Sequence, residues 1–331
     1  MQRRTLLRAL AAGGALPIVA SAAVTAAAPA TPATFRDVID TPAAPSALAA
    51  RGLLIGLARA GKRIVAVGQR GHVLTSDDAG KGWQQAAVPV SSDLVAAHFP
   101  TPTLGWAVGH DGVVLHSADA GRSWTRQFDG RQLGPQGAEN PLLDVLFEDA
   151  ANGIAVGAFG TVLRTSDGGR QWLLVKDGID NPKGLHLYAV RRVGADLYIA
   201  GEQGLLLKHD GARFAALAIP YPGTLFGVIG NERAVLAHGL RGNVVRSTDG
   251  GRNWAAVPTG LSVGLVASTL DDKGRIVLVS QAGQVLVSSD DGASFAPMKT
   301  ERAQPAAAVI ATGTGQLVLA GPRGVQTLAL A

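Results

Sequence analysis

Few residues in this chain could do chemistry, and most of those recur in one arrangement. Ser76-x-Asp78-x-Gly80-x-x-Trp83 returns as Ser117, Asp119, Gly121 and Trp124, and again as Thr165, Asp167, Gly169 and Trp172. It returns twice more, as Ser247, Asp249, Gly251 and Trp254, and as Ser288, Asp290, Gly292 and Phe295. A decayed copy puts Lys208 in the hydroxyl place, followed by Asp210, Gly211 and Phe214. A short carboxylate in a turn accepts hydrogen bonds from the backbone N–H groups that follow it, and the glycine supplies positive φ. The five intact boxes therefore read as structural turns. The rings after them are expected to pack between neighbouring repeats, where a large side chain covers much area.

The remaining candidates form no catalytic constellation. His72, His98, His110, His116, His186, His209 and His238 show no metal-ligand spacing, and no serine stands in an elbow motif. Gly313-Thr314-Gly315 is not followed by a helix, so it reads as a turn. Asp111 and Glu202 are the one imaginable glycosidase pair, but they belong to different repeats. The chain has no cysteine, which excludes disulfides, thiolate metal sites and a cysteine nucleophile. No metal and no cofactor is expected.

These residues need a scaffold, and the spacing of the boxes supplies one. Successive aspartates, Asp210 included, lie 41, 48, 43, 39 and 41 residues apart. Upstream of each box stands an apolar run ending in G-x-x-G or a variant, as at Gly68 and Gly71, Gly109 and Gly112, Gly201 and Gly204, Gly239 and Gly242. A seventh copy of this element, Gly321 and Gly324, comes near residue 331. A period near 40 residues, short strands and 43 glycines indicate an all-β, seven-bladed β-propeller of four-stranded blades over residues 35–331. Naming strands A to D from the axis outward, blade three reads as A over 142–148, B over 153–157, C over 161–165 and D over 172–176. Phe35-Arg36-Asp37-Val38-Ile39 resembles the stretch that follows a box, so an N-terminal strand is expected to complete the last blade and close the ring.

This topology puts the G-x-x-G turns (B to C) and the D-to-A connections on one face, and the boxes on the other. The longest D-to-A loops, 129–141 and 177–185, lie on the first face, where function concentrates. The residues singled out there for partner binding are Arg70, His110, Asp111, Arg131, Phe159, Lys183, Glu202, Arg241 and Arg323. Arginines around the channel mouth suit an anionic or polar partner surface.

Residues 1–28 read as an export signal: Arg3-Arg4-Thr5-Leu6-Leu7-Arg8, an Ala/Gly-rich apolar run, then small residues. The paired arginines resemble a twin-arginine signal, so a periplasmic protein is expected, with residues 29–34 as a Pro/Ala linker. Removing the signal takes away Arg3, Arg4 and Arg8 and no acid, lowering the net charge from +5 by three. No basic run of the kind nucleic acid needs is present.

The boxes, together with Gly105-Trp106-Ala107-Val108-Gly109-x-x-Gly112-x-Val114-Leu115 and Leu142-Leu143-Asp144-Val145-x-Phe147, resemble the Asp-box (BNR-repeat) propellers. The closer resemblance is to the photosystem II stability/assembly factor family and its non-photosynthetic relatives, over residues 35–330. The resemblance implies an exported, non-catalytic, monomeric propeller that docks onto a membrane or envelope protein complex. Sialidases share the boxes and make a glycan-directed hydrolase or lectin the alternative. They want an arginine triad and a tyrosine–glutamate pair, whereas the only tyrosines here are Tyr188, Tyr198 and Tyr221.

Overall fold

The computed structural model describes residues 36–134, 137–300 and 302–330; the signal 1–28, the linker 29–34 and Phe35 lie outside them. Seven antiparallel sheets form, each from consecutive strands, and no α-helix occurs among the described residues. The innermost strands are Leu54–Ala60, Leu94–His98, Leu142–Phe147, Leu187–Val193, Leu225–Gly230, Leu265–Leu270 and Ala308–Ala311. Each touches the next, and the last touches the first, so the ring is closed at its axis. The B strands are mainly apolar because both faces are covered, as in Arg63–Gly68 and Ile276–Ser280, where every residue is buried. Blade three follows the expectation closely, with strands Leu142–Phe147, Gly153–Gly157, Val162–Thr165 and Leu173–Leu174.

The core is seven separate clusters, one at each seam between blades. Trp124 of blade two packs with Val65 and Val88 of blade one, Trp172 of blade three with Trp106 and Phe128 of blade two, and Trp83 of blade one against Ala320 and Val325 of blade seven. Trp254 and Phe295 do the same at the seams before their own blades. The cluster between blades six and seven holds no aromatic among the described residues; Met298, Leu328 and Leu330 flank it instead.

The boxes hold their turns as carboxylate chemistry dictates. Ser117 Oγ donates to Asp119 Oδ1 (2.8 Å) and accepts from the Gly121 N–H (2.8 Å). Asp119 Oδ1 accepts from the Ser123 N–H (2.9 Å), and Trp124 Nε1 donates to the Gly121 carbonyl (3.1 Å). These donors hold the Asp78, Asp167 and Asp249 carboxyls below the usual carboxylate range, and that of Asp290 at about 2. At Asp119 burial pushes the other way and is outweighed.

On the opposite face the second glycine of each B-to-C turn is a socket for the next connection. A β-carbon on Gly71 would stand 2.1 Å from the Val90 carbonyl oxygen, and the same close approach joins Gly204 to Tyr221, Gly242 to Leu261 and Gly283 to Gln304. The seventh socket, Gly324, is filled by Ala50, whose carbonyl oxygen would be 2.0 Å away. Residues 49–51 thus stand where a D-to-A connection stands in the other blades.

The closing strand expected over 35–39 is not formed by the described part of that stretch. Val38–Asp40 is a 3-10 turn, and among the described residues blade seven has three strands: Ala308–Ala311, Gln316–Gly321 and Gly324–Ala329. Pro42 and Pro45 explain the difference, because they have no N–H to give a ladder along the blade-seven edge. The chain turns instead onto blade one, where the Ser46 N–H donates to Gln85 Oε1 (2.9 Å) and Gln85 Nε2 to the Ala44 carbonyl (3.0 Å). It continues to blade two as a strap, with the Ser91 N–H donating to the Val38 carbonyl and Arg126 to that of Ile39.

Candidate functional site

The tips of the seven B-to-C turns make a ring on one face, and five of the turns share one geometry. In these the tip residue is left-handed: Arg70 (φ 56°), Asp111 (58°), Phe159 (55°), Gln203 (51°) and Arg241 (55°). A non-glycine side chain in this region is strained, and a bulky ring most of all. Phe159 is also 62% exposed, with no apolar cover to offset the strain. Ala282 and Arg323 complete the ring in blades six and seven.

The residues singled out from the sequence divide into two groups. Arg70, His110, Arg241 and Arg323 are exposed, and no side-chain partner for them occurs among the described residues; Asp111 is half-buried beside His110. The others are engaged. Arg131 grips Asp129 and the strap residue Asp40, as does Arg126, and together they hold the Asp40 carboxyl at about 2. Glu202 turns inward to accept the His186 N–H (2.9 Å), and Lys183 lies 3.5 Å from Gln203 Oε1. Phe159 begins a run of edge-on rings: His186 at 4.8 Å, Tyr188 beyond it at 6.4 Å and Phe226 at 5.5 Å more. The run leads from an exposed tip of blade three to the channel wall of blade five.

The polar side chains inside the channel were not anticipated. The inner strands of all seven blades line a cavity of about 280 Å³. Asp144, buried on strand A of blade three, accepts the Val190 N–H (2.7 Å) and pairs with Arg191 of blade four, which is half-exposed in the channel. Burial pushes the Asp144 carboxyl up, against the pull of Arg191 and the N–H groups of Val190 and Val145. His238 of blade five is buried at the channel wall against blade six. Its Nδ1 lies 3.0 Å from the Leu265 carbonyl, which can only accept, so Nδ1 carries the proton and Nε2 accepts from Ser268 Oγ (3.0 Å). Burial pushes this imidazole down to about 4, so it is neutral at physiological pH. The signal for the pair was present as a lone carboxylate in the apolar run Leu142–Phe147 and a double arginine in Leu187–Val193.

Glu202 of the imagined glycosidase pair is not free: its carboxylate accepts the His186 backbone N–H, while Asp111 stands half-buried at its turn tip. Nor does any group of three His, Asp or Glu suited to a metal ion occur among the described residues.

Several solved structures superpose over more than four-fifths of this chain. A structure of YCF48 bound to D1 peptide superposes with a TM-score of 0.69 at 14% identity, over 85% of this chain and 94% of that one. YCF48 from Cyanidioschyzon merolae gives 0.66 at 18% identity, over 86% and 96%. The Niastella koreensis GH74 enzyme gives 0.64 at 14% identity, over 83% of this chain but 52% of its own length. No curated protein matches the chain. The family model described as photosynthesis system II assembly factor YCF48 matches residues 135–306, just over half of the sequence, and the chain belongs to that family.

Proposed function

We propose that this protein is an exported, non-catalytic propeller that binds a polypeptide of a membrane or envelope protein complex and acts as an assembly or accessory factor. The face bearing the B-to-C turns makes the contact. One observation carries the reading: the tips of blades one, five and seven hold Arg70, Arg241 and Arg323, exposed on one face with no side-chain partner among the described residues. Guanidinium groups held on rigid turns are suited to carboxylates of a partner surface. Phe159 adds an exposed apolar anchor in a strained backbone setting. The solved relative with a bound peptide supports a polypeptide as the partner class. Export through the twin-arginine route and a periplasmic, monomeric state complete the proposal. The glycan-directed alternative rests on the likeness to the GH74 enzyme, which is one of fold.

The test is cross-linking to envelope membranes of the host, comparing the native protein with an Arg70→Glu/Arg241→Glu variant. An integral membrane protein cross-linked by the native protein and lost in the variant, at unchanged melting temperature, supports the reading. Equal cross-linking by both would refute it, as would hydrolysis of a glycan by the purified protein.

A further inference from the structure

Blade seven presents an open strand edge with the means to recognise what pairs with it. In each of the other blades the third strand is covered by a fourth; Gly324–Ala329 has no such neighbour among the described residues. Gly321 and Gly324 pair across the two-residue turn Pro322-Arg323, so alternation along the ladder directs the N–H and C=O of Val325 and Thr327 outward. The edge residues Val325, Gln326, Thr327, Leu328 and Ala329 carry no charge, proline or bulge, the devices that usually protect an edge. The chain's own approach to this edge is diverted, since residues 44–46 are bonded to Gln85 of blade one and Asp40 is locked to Arg126 and Arg131 of blade two.

A strand added antiparallel to Gly324–Ala329 runs toward the turn face. Its C-terminal end arrives at Gly324, where Arg323 and Arg51 both stand exposed without a side-chain partner among the described residues. The Arg51 Cα is only 2.7 Å from the β-carbon position of Gly324, so the two cations flank the end of the edge. We infer that blade seven accepts an extended segment of a partner polypeptide as its fourth strand, with a carboxylate at the C-terminal end of that segment seated between Arg51 and Arg323. Main-chain bonds then supply affinity, and the two arginines set direction and register. The seam without an aromatic, between blades six and seven, lies beside the start of this strand, so a ring there would be an added anchor. This surface is the flank of the ring and shares only Arg323 with the docking face proposed above, whose test uses Arg70 and Arg241.

The protein supplies its own probe. Residues 124–129 of blade two are an aromatic, a fourth strand (Thr125–Phe128) and an aspartate in the required order. A hexapeptide copying them, acetylated and C-terminally amidated, is titrated into the full-length protein while amide exchange is followed by NMR. At millimolar peptide the Val325 and Thr327 amides should become at least tenfold better protected. Thr327→Pro removes only an outward N–H, so it should leave the melting temperature within a few degrees and abolish this protection. Arg51→Glu/Arg323→Glu should weaken binding at least fivefold, whereas Arg70→Glu/Arg241→Glu should leave it unchanged. The same peptide with a free C-terminal carboxylate and asparagine for its aspartate tests a terminal carboxylate as the source. Four results overturn the proposal: no added protection, binding that survives Thr327→Pro, indifference to both Arg51 and Arg323, or the same two amides already protected without peptide. In the last case another segment of this chain or a second copy occupies the edge.

Discussion

The Ala50 carbonyl fits the seventh glycine socket at Gly324 in the way the Val90 carbonyl fits Gly71 in the first. The stretch around Ala50 and the last blade are thus joined by a close backbone approach that a side chain would block.

Gly324→Ala should open that join. Gly324 sits at φ 84° with backbone atoms where the methyl would go, so the loss should exceed about 2 kcal/mol in chemical denaturation. Gly315→Ala, at φ 72° with open space around it, isolates the backbone strain and should cost only about 1 kcal/mol. Equal losses would mean that the contact with Ala50 contributes nothing.

Ser117→Ala should destabilise by about 2 kcal/mol, because Ser117 is buried and the Gly121 N–H loses its acceptor. The box carboxylates ionise below their unfolded range in the folded state. Their contribution is therefore fully present above about pH 4 and is lost as pH falls toward about 2, the folded value at Asp290. Acid titration of stability should show this limb, and Asp290→Asn should shorten it.

His238 produces a separate and earlier limb. Its folded pKa is depressed to about 4 while the unfolded imidazole titrates near the ordinary value of about 6.5. The unfolded state takes up the proton first, so stability is full above about 6.5 and falls by about 3 kcal/mol as pH drops to about 4. Denaturation midpoints measured at pH 7 and pH 4.5 should differ by more than this, because burial holds His98 at about 4 as well, and His238→Gln should remove its own share of the difference while leaving that of His98.

Asp144 and Arg191 should behave as one unit. Arg191→Ala leaves a buried carboxyl without its counter-ion and should cost about 2 kcal/mol, a value held down by the half-exposed guanidinium. Asp144→Asn made on that background should recover part of the loss. A double mutant as unstable as the two single losses combined would show that the pair is not coupled.

The blade count, the strands of blade three and the sharing of box aromatics between blades were legible because each is written several times over. Five copies of one turn leave little freedom in register, and the G-x-x-G spacing marks the opposite face. Features that occur once were harder to see. The strap was misread because Phe35–Ile39 looks like a post-box strand locally, while Pro42 and Pro45, which redirect it, lie several residues further on. The partners of Arg131 and Glu202 were invisible for a related reason: Asp40 is 91 residues from Arg131. Asp144 and Arg191 meet only because blades three and four are adjacent in the ring, a relation no local spacing records.

Six seams of this ring are sewn by covalent continuity from one sheet into the next. At the seventh the hold is non-covalent: packing through the seam, the Arg59 guanidinium on the Ala311 carbonyl, the Gly324 contact and a belt buckled two sheets away on Asp40. Thermal opening of the circle should begin along that single meridian. Anything that grips the flank of the last blade and the belt together would therefore rigidify the whole disc.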